Sequence, residues 1–230
     1  MQHMLPQLRL ALVLMSAPLL AQPVKTLVVT GGHDHHPAFY TAFDDPRLAP
    51  NVDPHPVAFR KDVSKRYDVA VLYDMVPEMD DARRANLKAF ADAGKGIVVL
   101  HHAICSHSQW PWYSEELVGG RYRFAPETPL STYKHDEQVK VSVVKKHPVT
   151  EGVDDFIIHD ETYKNMWISP KVQVLLRTDN PTADGPIAWI GLHPKARIVY
   201  LQLGHDENAH RNPNFQRLVR NAILWAAGRN

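Results

Sequence analysis

The chain has 230 residues, of which 44% are hydrophobic and 22% are charged, and its net charge is +1. This size and balance fit one globular domain and exclude fibrous, intrinsically disordered and multi-span membrane proteins, while the near-zero charge argues against a nucleic-acid partner. The single cysteine, Cys105, excludes an internal disulfide and a cysteine-rich zinc module. Histidine is abundant, with 14 residues, so histidine-based chemistry is the first kind to consider.

Residues 1–21 have the layout of a secretory signal peptide. Arg9 precedes an almost wholly apolar run from Leu10 to Leu20, and a processing region follows at Ala21. The apolar run has about half of the ~20 residues that a membrane-spanning helix needs. We therefore predict a signal peptide over residues 1–21, a single domain over residues 22–230, no stable membrane span, and a periplasmic or secreted protein.

The rest of the chain alternates apolar runs, loops and helical patterns, which is typical of an α/β fold. Strands are predicted at Val24–Thr30, Pro56–Phe59, Tyr67–Tyr73, Gly96–Leu100, Val139–Val144, Val172–Leu176, Ile187–Ile190 and Ile198–Leu203. Helices are predicted at Ala38–Phe43, Asp80–Ala93 and Phe215–Ala227. Residues 110–133 lack clear periodicity and are interpreted as an insertion or lid. The pattern predicts one α/β sandwich with a mostly parallel sheet and allows antiparallel additions late in the chain.

Histidines follow three of the predicted strands. They lie in the segments Gly31–His36, His101–Ala103 and Gly204–Glu207. Because the carboxyl ends of parallel strands meet at one edge of a sheet, we expect these loops to converge there. Imidazole with carboxylate suits zinc, manganese or iron, so His33, His35, His101 and His205 are candidate ligands of a divalent metal. In the first loop, capping of the following helix is the alternative.

Two of these loops carry further candidates for catalysis. Neighbouring residues of an extended segment face opposite ways, so one of His101 and His102 is expected to face the cleft while the other packs behind it. Asp206 is a candidate for orienting an imidazole or accepting a substrate hydroxyl, and its alternative is a helix cap.

The segment Asp160–Tyr163 is a dense acidic pair followed by an aromatic residue. Asp160 or Glu161 is a candidate general acid, base or metal ligand, and the alternative is a solvated helix start. Tyr163 is a candidate substrate contact.

The aromatic segment Trp110–Tyr113 is a candidate binding surface. Trp110, Trp112 and Tyr113 offer a platform for the face of a sugar, and core packing or a homo-oligomer contact is the alternative. Cys105 lacks the glycine-flanked elbow of a nucleophile and is interpreted as a buried, idle thiol.

Several segments, taken together and in order, resemble the ThuA-like (trehalose utilisation) family. They are Val28–His35, Gly96–Ala103, Trp110–Tyr113 with Leu117–Gly120, His147–Gly152, Asp160–Tyr163, Val199–Glu207 and Trp225–Gly228. The resemblance implies a flavodoxin-like, three-layer sandwich similar to the class I glutamine amidotransferase domain. Where amidotransferases carry the nucleophilic cysteine, this chain has His101 and His102. Family members often show another histidine after the aromatic that corresponds to Phe124, and here His135 is the nearest.

The resemblance also implies a link to disaccharide or glycoside catabolism with keto sugars as intermediates. The sequence therefore predicts an exported protein that acts on a small-molecule saccharide by hydrolysis, elimination or isomerisation, without a nucleotide cofactor. A non-catalytic carbohydrate-binding or assembly protein of the same fold is the alternative.

Overall fold

A computed structural model of the chain describes residues 22–229, so the predicted signal peptide lies outside the described residues. The strands are β1 (Val24–Gly31), β2 (Leu48–Val52), β3 (Val69–Asp74), β4 (Gly96–Leu100), β5 (Gly120–Arg121), β6 (Thr132–Val143), β7 (Phe156–Lys164), β8 (Trp167–Ile168), β9 (Gln173–Arg177), β10 (Pro186–Ile190) and β11 (Ile198–Leu201). The α-helices are α1 (Asp81–Asp92), α2 (Glu207–Arg211) and α3 (Pro213–Ala226). Short 3-10 helices span Pro37–Phe43, His101–Cys105 and Pro148–Thr150, and a π-helix spans Trp112–Val118.

Nine strands form one mixed sheet in the order β2-β1-β3-β4-β11-β10-β9-β6-β7. The five strands from β2 to β11 run parallel, and the remaining four pair in antiparallel fashion. The predicted α/β fold with a mostly parallel sheet is therefore confirmed, and the carboxyl-end edge of its parallel strands lies after β1, β3, β4 and β11.

Two apolar layers cover the faces of this sheet. All residues of β3 and β4 are buried, which agrees with parallel strands that are covered on both sides. The core on one face joins the sheet to Phe39 and to the apolar stripe of α3 around Leu218 and Ala222. On the other face, Leu87 and Phe90 of α1 pack with the π-helix. The molecule is thus a three-layer sandwich.

The predicted strand at Pro56–Phe59 is wrong. Those residues form turns, and the strand beside β1 is β2, which contains Pro50. Because β2 is an edge strand, it tolerates a proline and shows no run of buried residues.

The helix α1 begins close to its predicted start. Its N-cap is Asp80, whose side chain accepts a hydrogen bond from the backbone N–H of Arg83.

Within residues 22–229, none of the helices is both long enough and apolar enough to cross a bilayer.

Candidate functional site

A cavity of about 220 Å³ lies at the carboxyl-end edge of the parallel strands. Its lining combines imidazoles, one carboxylate and aromatic rings: His33, Met75, His101, His102, Cys105, Tyr122, Phe124, Tyr133, His135, Glu161, Tyr163 and His205. The residues of this cavity come from the loops after β1, β3, β4 and β11, and from β6, β7 and the segment after β5. The cavity therefore lies where the parallel half of the sheet meets the antiparallel β6–β7 pair.

His101 occupies the sharp turn at the end of β4. Its backbone is left-handed, with a φ of 48°, and it begins a 3-10 helix rather than extending the strand. For this reason the alternation of strand side chains ends at Leu100, and both His101 and His102 line the cavity. The expectation that one of them packs behind the cleft is wrong. The Nδ1 atom of His101 lies 2.6 Å from the carbonyl oxygen of Gln202, which leaves Nε2 facing the site.

Three donor side chains converge on the floor of the cavity. One oxygen of Glu161 lies 3.0 Å from Nε2 of His101 and 3.4 Å from Nδ1 of His205, and those two nitrogens are 3.3 Å apart. The hydroxyl of Tyr163 lies 3.1 Å from Nε2 of His101. The ligand atoms of His101, Glu161 and His205 all lie within 4.8 Å of one another, as a shared metal ion would require.

The consecutive residues Asp160 and Glu161 face opposite sides of β7. Asp160 is buried away from the cavity, and its carboxylate accepts hydrogen bonds from the backbone N–H groups of Gly204, His205 and Glu161, with lengths of 2.8, 3.0 and 2.8 Å. It therefore fixes the loop that presents His205. The helix start considered for this segment is wrong, because both residues belong to a strand.

The other acidic candidate, Asp206, lies outside the cavity. Its side chain accepts hydrogen bonds from the backbone N–H groups of Asn208 and Ala209 and so caps α2. The capping alternative is the arrangement found here.

Burial and charge act against each other in the donor group. Burial opposes the charged form of His101, but the hydrogen bond and charge of Glu161, together with Asp160, raise its pKa overall. Burial is the largest influence on Glu161 and opposes its ionised form, but the hydrogen bond to His101 and the charges of His101, His205 and His135 together outweigh it, so the pKa of Glu161 is lowered. Burial, reinforced by neighbouring imidazoles, lowers the pKa of His102 to about 2 and keeps that ring neutral. An ionised carboxylate beside imidazoles favours the binding of a cation at this position.

Cys105 is buried, as expected, and it also lines the cavity. Burial raises the pKa of its thiol well above the ordinary value, an effect that the charge of Glu161 reinforces. Since the thiolate is the nucleophilic form, Cys105 is poorly suited to attack a substrate.

His135 joins the site, although the sequence did not place it among the candidate ligands. The pairing of β6 with β7 slips by one residue between Lys134 and Glu137, so His135 and Asp136 lie opposite the single residue Glu161. Two residues opposite one make this irregularity a β-bulge, and Asp136 adopts a left-handed φ of 59° within it. The bulge brings Nδ1 of His135 to 3.4 Å from the outer oxygen of Glu161. The one sequence feature that pointed to His135 was the family resemblance, in which a histidine often follows the aromatic that corresponds to Phe124.

The histidines of the first loop are separated by its turn. His33 lines the cavity, and its ring stacks on His102 with 4.6 Å between centroids. His35 instead contacts the hydroxyl of Tyr40 at 3.0 Å and does not line the cavity. The chain bends at Gly32 and His33 instead of continuing as an extended strand, so the two histidines do not share a face. Neither histidine belongs to the group of three donors.

The structure does not bring the aromatic segment Trp110–Tyr113 to the cavity. Trp112 and Tyr113 belong to the core beneath α1, Trp110 packs against that core, and the Tyr113 hydroxyl donates to the carbonyl of Ala103. The aromatic side chains that line the cavity are Tyr122, Phe124, Tyr133 and Tyr163, of which only Tyr163 was a candidate. In the weakly periodic region, the aromatic residues that line the cavity are therefore Tyr122, Phe124 and Tyr133 instead of the expected Trp110, Trp112 and Tyr113.

A structural role for Tyr113 has a measurable consequence. We expect Tyr113→Phe to lower the free energy of unfolding by about 1 kcal/mol, because it removes one buried hydrogen bond and keeps the ring. Urea unfolding would measure the loss of stability, and saccharide titration would show whether binding changes. Loss of saccharide binding with unchanged stability would contradict this assignment and return Tyr113 to the binding surface.

The comparisons with known proteins agree with this architecture. The sequence profile of the ThuA family, described as trehalose utilisation, matches residues 25–226. A solved ThuA-like protein from Parabacteroides merdae has 22% identity and a TM-score of 0.74, with 90% of each chain covered. A second, from Bacteroides uniformis, has 23% identity and a TM-score of 0.67, covering 91% of this chain and 94% of that one.

More distant likenesses extend to the amidotransferase group. A protein described as a GMP synthase component, from Thermoplasma acidophilum, has 16% identity and a TM-score of 0.55, covering 90% of this chain and 96% of that one. Among curated proteins there is no significant match. The fold is thus that of the class I glutamine amidotransferase group, and the match over nearly all of the described residues shows that this chain belongs to the ThuA (trehalose utilisation) family.

Proposed function

We propose that this chain processes a sugar at a divalent metal centre formed by His101, Glu161 and His205. The substrate is a disaccharide or glycoside, or its keto derivative. The observation that carries the proposal is the convergence of three buried or half-buried donor atoms on the floor of one cavity, from β4, β7 and the loop after β11. The description of the family as trehalose utilisation supports the saccharide class.

The donor set fits a divalent cation. The bond from Nδ1 of His101 to the carbonyl of Gln202 is the outer-shell contact that orients metal-bound histidines, and it leaves the Nε2 lone pair for the ion. Two imidazoles with one carboxylate suit zinc, manganese or iron. Three protein ligands leave coordination positions free toward the cavity, as in catalytic rather than structural sites. A cation bound there would polarise a carbonyl or hydroxyl oxygen of the sugar.

The residues around the donors provide the other parts of a reaction site. The Tyr163 hydroxyl can donate a hydrogen bond to a sugar oxygen. His135 stands beside Glu161 at the open side of the cavity, where an imidazole can exchange protons with solvent. Hydrolysis, elimination and isomerisation of a keto sugar each need such a proton transfer. We also propose export of the protein, on the signal-like sequence of residues 1–21.

Two measurements on one preparation test the proposal. Protein purified without a histidine tag is analysed for bound metal, and it is then incubated with trehalose, other disaccharides, simple glycosides and their 3-keto forms while products are followed by NMR. We expect about one equivalent of metal and turnover that stops after chelation and returns when metal is added back. Saturable sugar binding without turnover would favour the non-catalytic alternative. Full activity in metal-free protein would overturn the metal centre.

A further inference from the structure

The mouth of the cavity differs chemically from its floor. On the floor, His101, Glu161 and Tyr163 are buried and polar atoms converge. At the open side, Phe124 and Tyr133 line the same cavity while 39% and 60% of their surfaces remain exposed. Large exposed aromatic rings beside a cavity are costly to leave in water and commonly mark a ligand contact.

The volume of the cavity limits what it can enclose. At about 220 Å³, it is smaller than the ~300–1,000 Å³ of typical small-molecule pockets. A cavity of this size has room for about one sugar ring, so a group joined to that ring would extend past the residues that line the open side.

We infer that the site takes a glycoside whose second part is a flat, apolar group, with the sugar ring on the polar floor and the aglycone against Phe124 and Tyr133. This inference rests on the proposed function and names its substrate class. The Tyr122 ring supports Phe124 at 5.0 Å between centroids and packs on Tyr163 at 5.6 Å, so the aromatic wall runs from floor to mouth. Tyr133 pairs directly across from Tyr163 on the neighbouring strand, which holds the second wall in register with the first.

The adjacent charges agree with an uncharged aglycone. His135 lies beside Tyr133, with 5.1 Å between the two ring centroids, and it is engaged with Glu161 rather than free to face the aglycone. Aromatic rings prefer offset or edge-to-face contact with another ring, an interaction beyond simple burial. An aryl group therefore gains more at this mouth than a methyl group or a second, fully hydroxylated sugar.

A binding comparison with metal-loaded protein tests the inference. The probes are 4-nitrophenyl and methyl D-glucopyranosides in both anomeric forms, titrated by calorimetry and by saturation-transfer NMR. We expect the aryl glycoside of the accepted anomer to bind about 10-fold more tightly than the methyl glycoside, a difference that matches ring stacking together with burial. The aryl protons should receive the larger saturation transfer from the protein.

Variants separate stacking from general damage. Phe124→Ala and Tyr133→Ala should each remove most of the aryl advantage and leave the affinity for the methyl glycoside within about twofold, while Tyr133→Phe should keep the advantage. Ile157→Ala is the matched control, since Ile157 is 64% exposed and does not line the cavity. Equal affinity for aryl and methyl glycosides, with turnover of both, would overturn this inference and leave the proposed function standing. Binding of neither class would also overturn this inference, while the proposed function would still be decided by the metal analysis and by turnover of the disaccharides and 3-keto glycosides.

Discussion

Replacing Glu161 with glutamine is expected to weaken metal binding by at least about 100-fold. The carboxylate of Glu161 contacts three imidazoles and is the one anionic donor of the group. The amide of Gln has nearly the same shape but carries no charge, and even outer-shell changes at metal sites cost about 10- to 100-fold in affinity. Competition with a chromogenic chelator at fixed pH measures the dissociation constant, and metal analysis after dialysis measures the occupancy.

Glu207→Gln is the matched control for that variant. Glu207 is an exposed carboxylate that also pairs with a histidine, His36, and with Arg211, but it lies outside the cavity. We expect the metal affinity and the turnover of the Glu207→Gln variant to equal those of the unmodified protein. If the two variants bound metal equally well, the assignment of the centre to His101, Glu161 and His205 would be wrong.

The second large effect is expected on stability, at Asp160. Asp160→Ala leaves three backbone N–H groups without the carboxylate that accepts their hydrogen bonds, in a part of the fold where water does not replace it. Each buried unsatisfied donor costs about 1–3 kcal/mol, so we expect the free energy of unfolding to fall by roughly 3–5 kcal/mol. Guanidinium unfolding followed by circular dichroism measures this loss.

Asp155→Ala provides the comparison for a carboxylate with a similar but exposed role. Asp155 accepts one backbone hydrogen bond, from Val143, at the protein surface, and its loss is expected to cost under about 1 kcal/mol. Asp160→Ala should also weaken metal binding, since the loop that carries His205 loses its anchor. A fully stable Asp160→Ala variant with weak metal binding would instead place Asp160 among the groups that act on the ligand directly.

Four of the five parallel strands, β1, β3, β4 and β11, could be predicted because they are buried on both faces, whereas the exposed edge strand β2 was not found. Segments such as Val69–Asp74 and Gly96–Leu100 are continuous apolar runs, and their ends mark the edge where ligands bind. Placing His101 and His205 at one edge required only that the sheet be parallel. The bends within the loops were not accessible in this way, because the left-handed backbone of His101 and the turn at Gly32 depend on tertiary contacts.

Strands β6 and β7 were harder to predict than β9 and β10 because their sequences serve the cavity as well as the core. The strand Phe156–Lys164 has polar residues at its centre, so it resembles a helix start rather than a strand. Its two carboxylates are explained only by partners far along the chain, namely a loop on one face and three histidines on the other. The β-bulge of β6, which brings His135 to Glu161, likewise has no local signature beyond an aspartate in a left-handed conformation.

The wide spacing of the donors along the chain bears on the order of folding. His101 and His205 are 104 residues apart in the sequence, and the contact between Asp160 and the backbone of His205 spans 45 residues. Closing such long loops has an entropic cost that local contacts do not carry, so we expect these contacts to form after the sheet that positions them. A metal ion therefore has no complete set of ligands to gather in the unfolded chain, in contrast to zinc fingers, whose folding the ion drives. In this protein the cation would be acquired by a chain that is already folded.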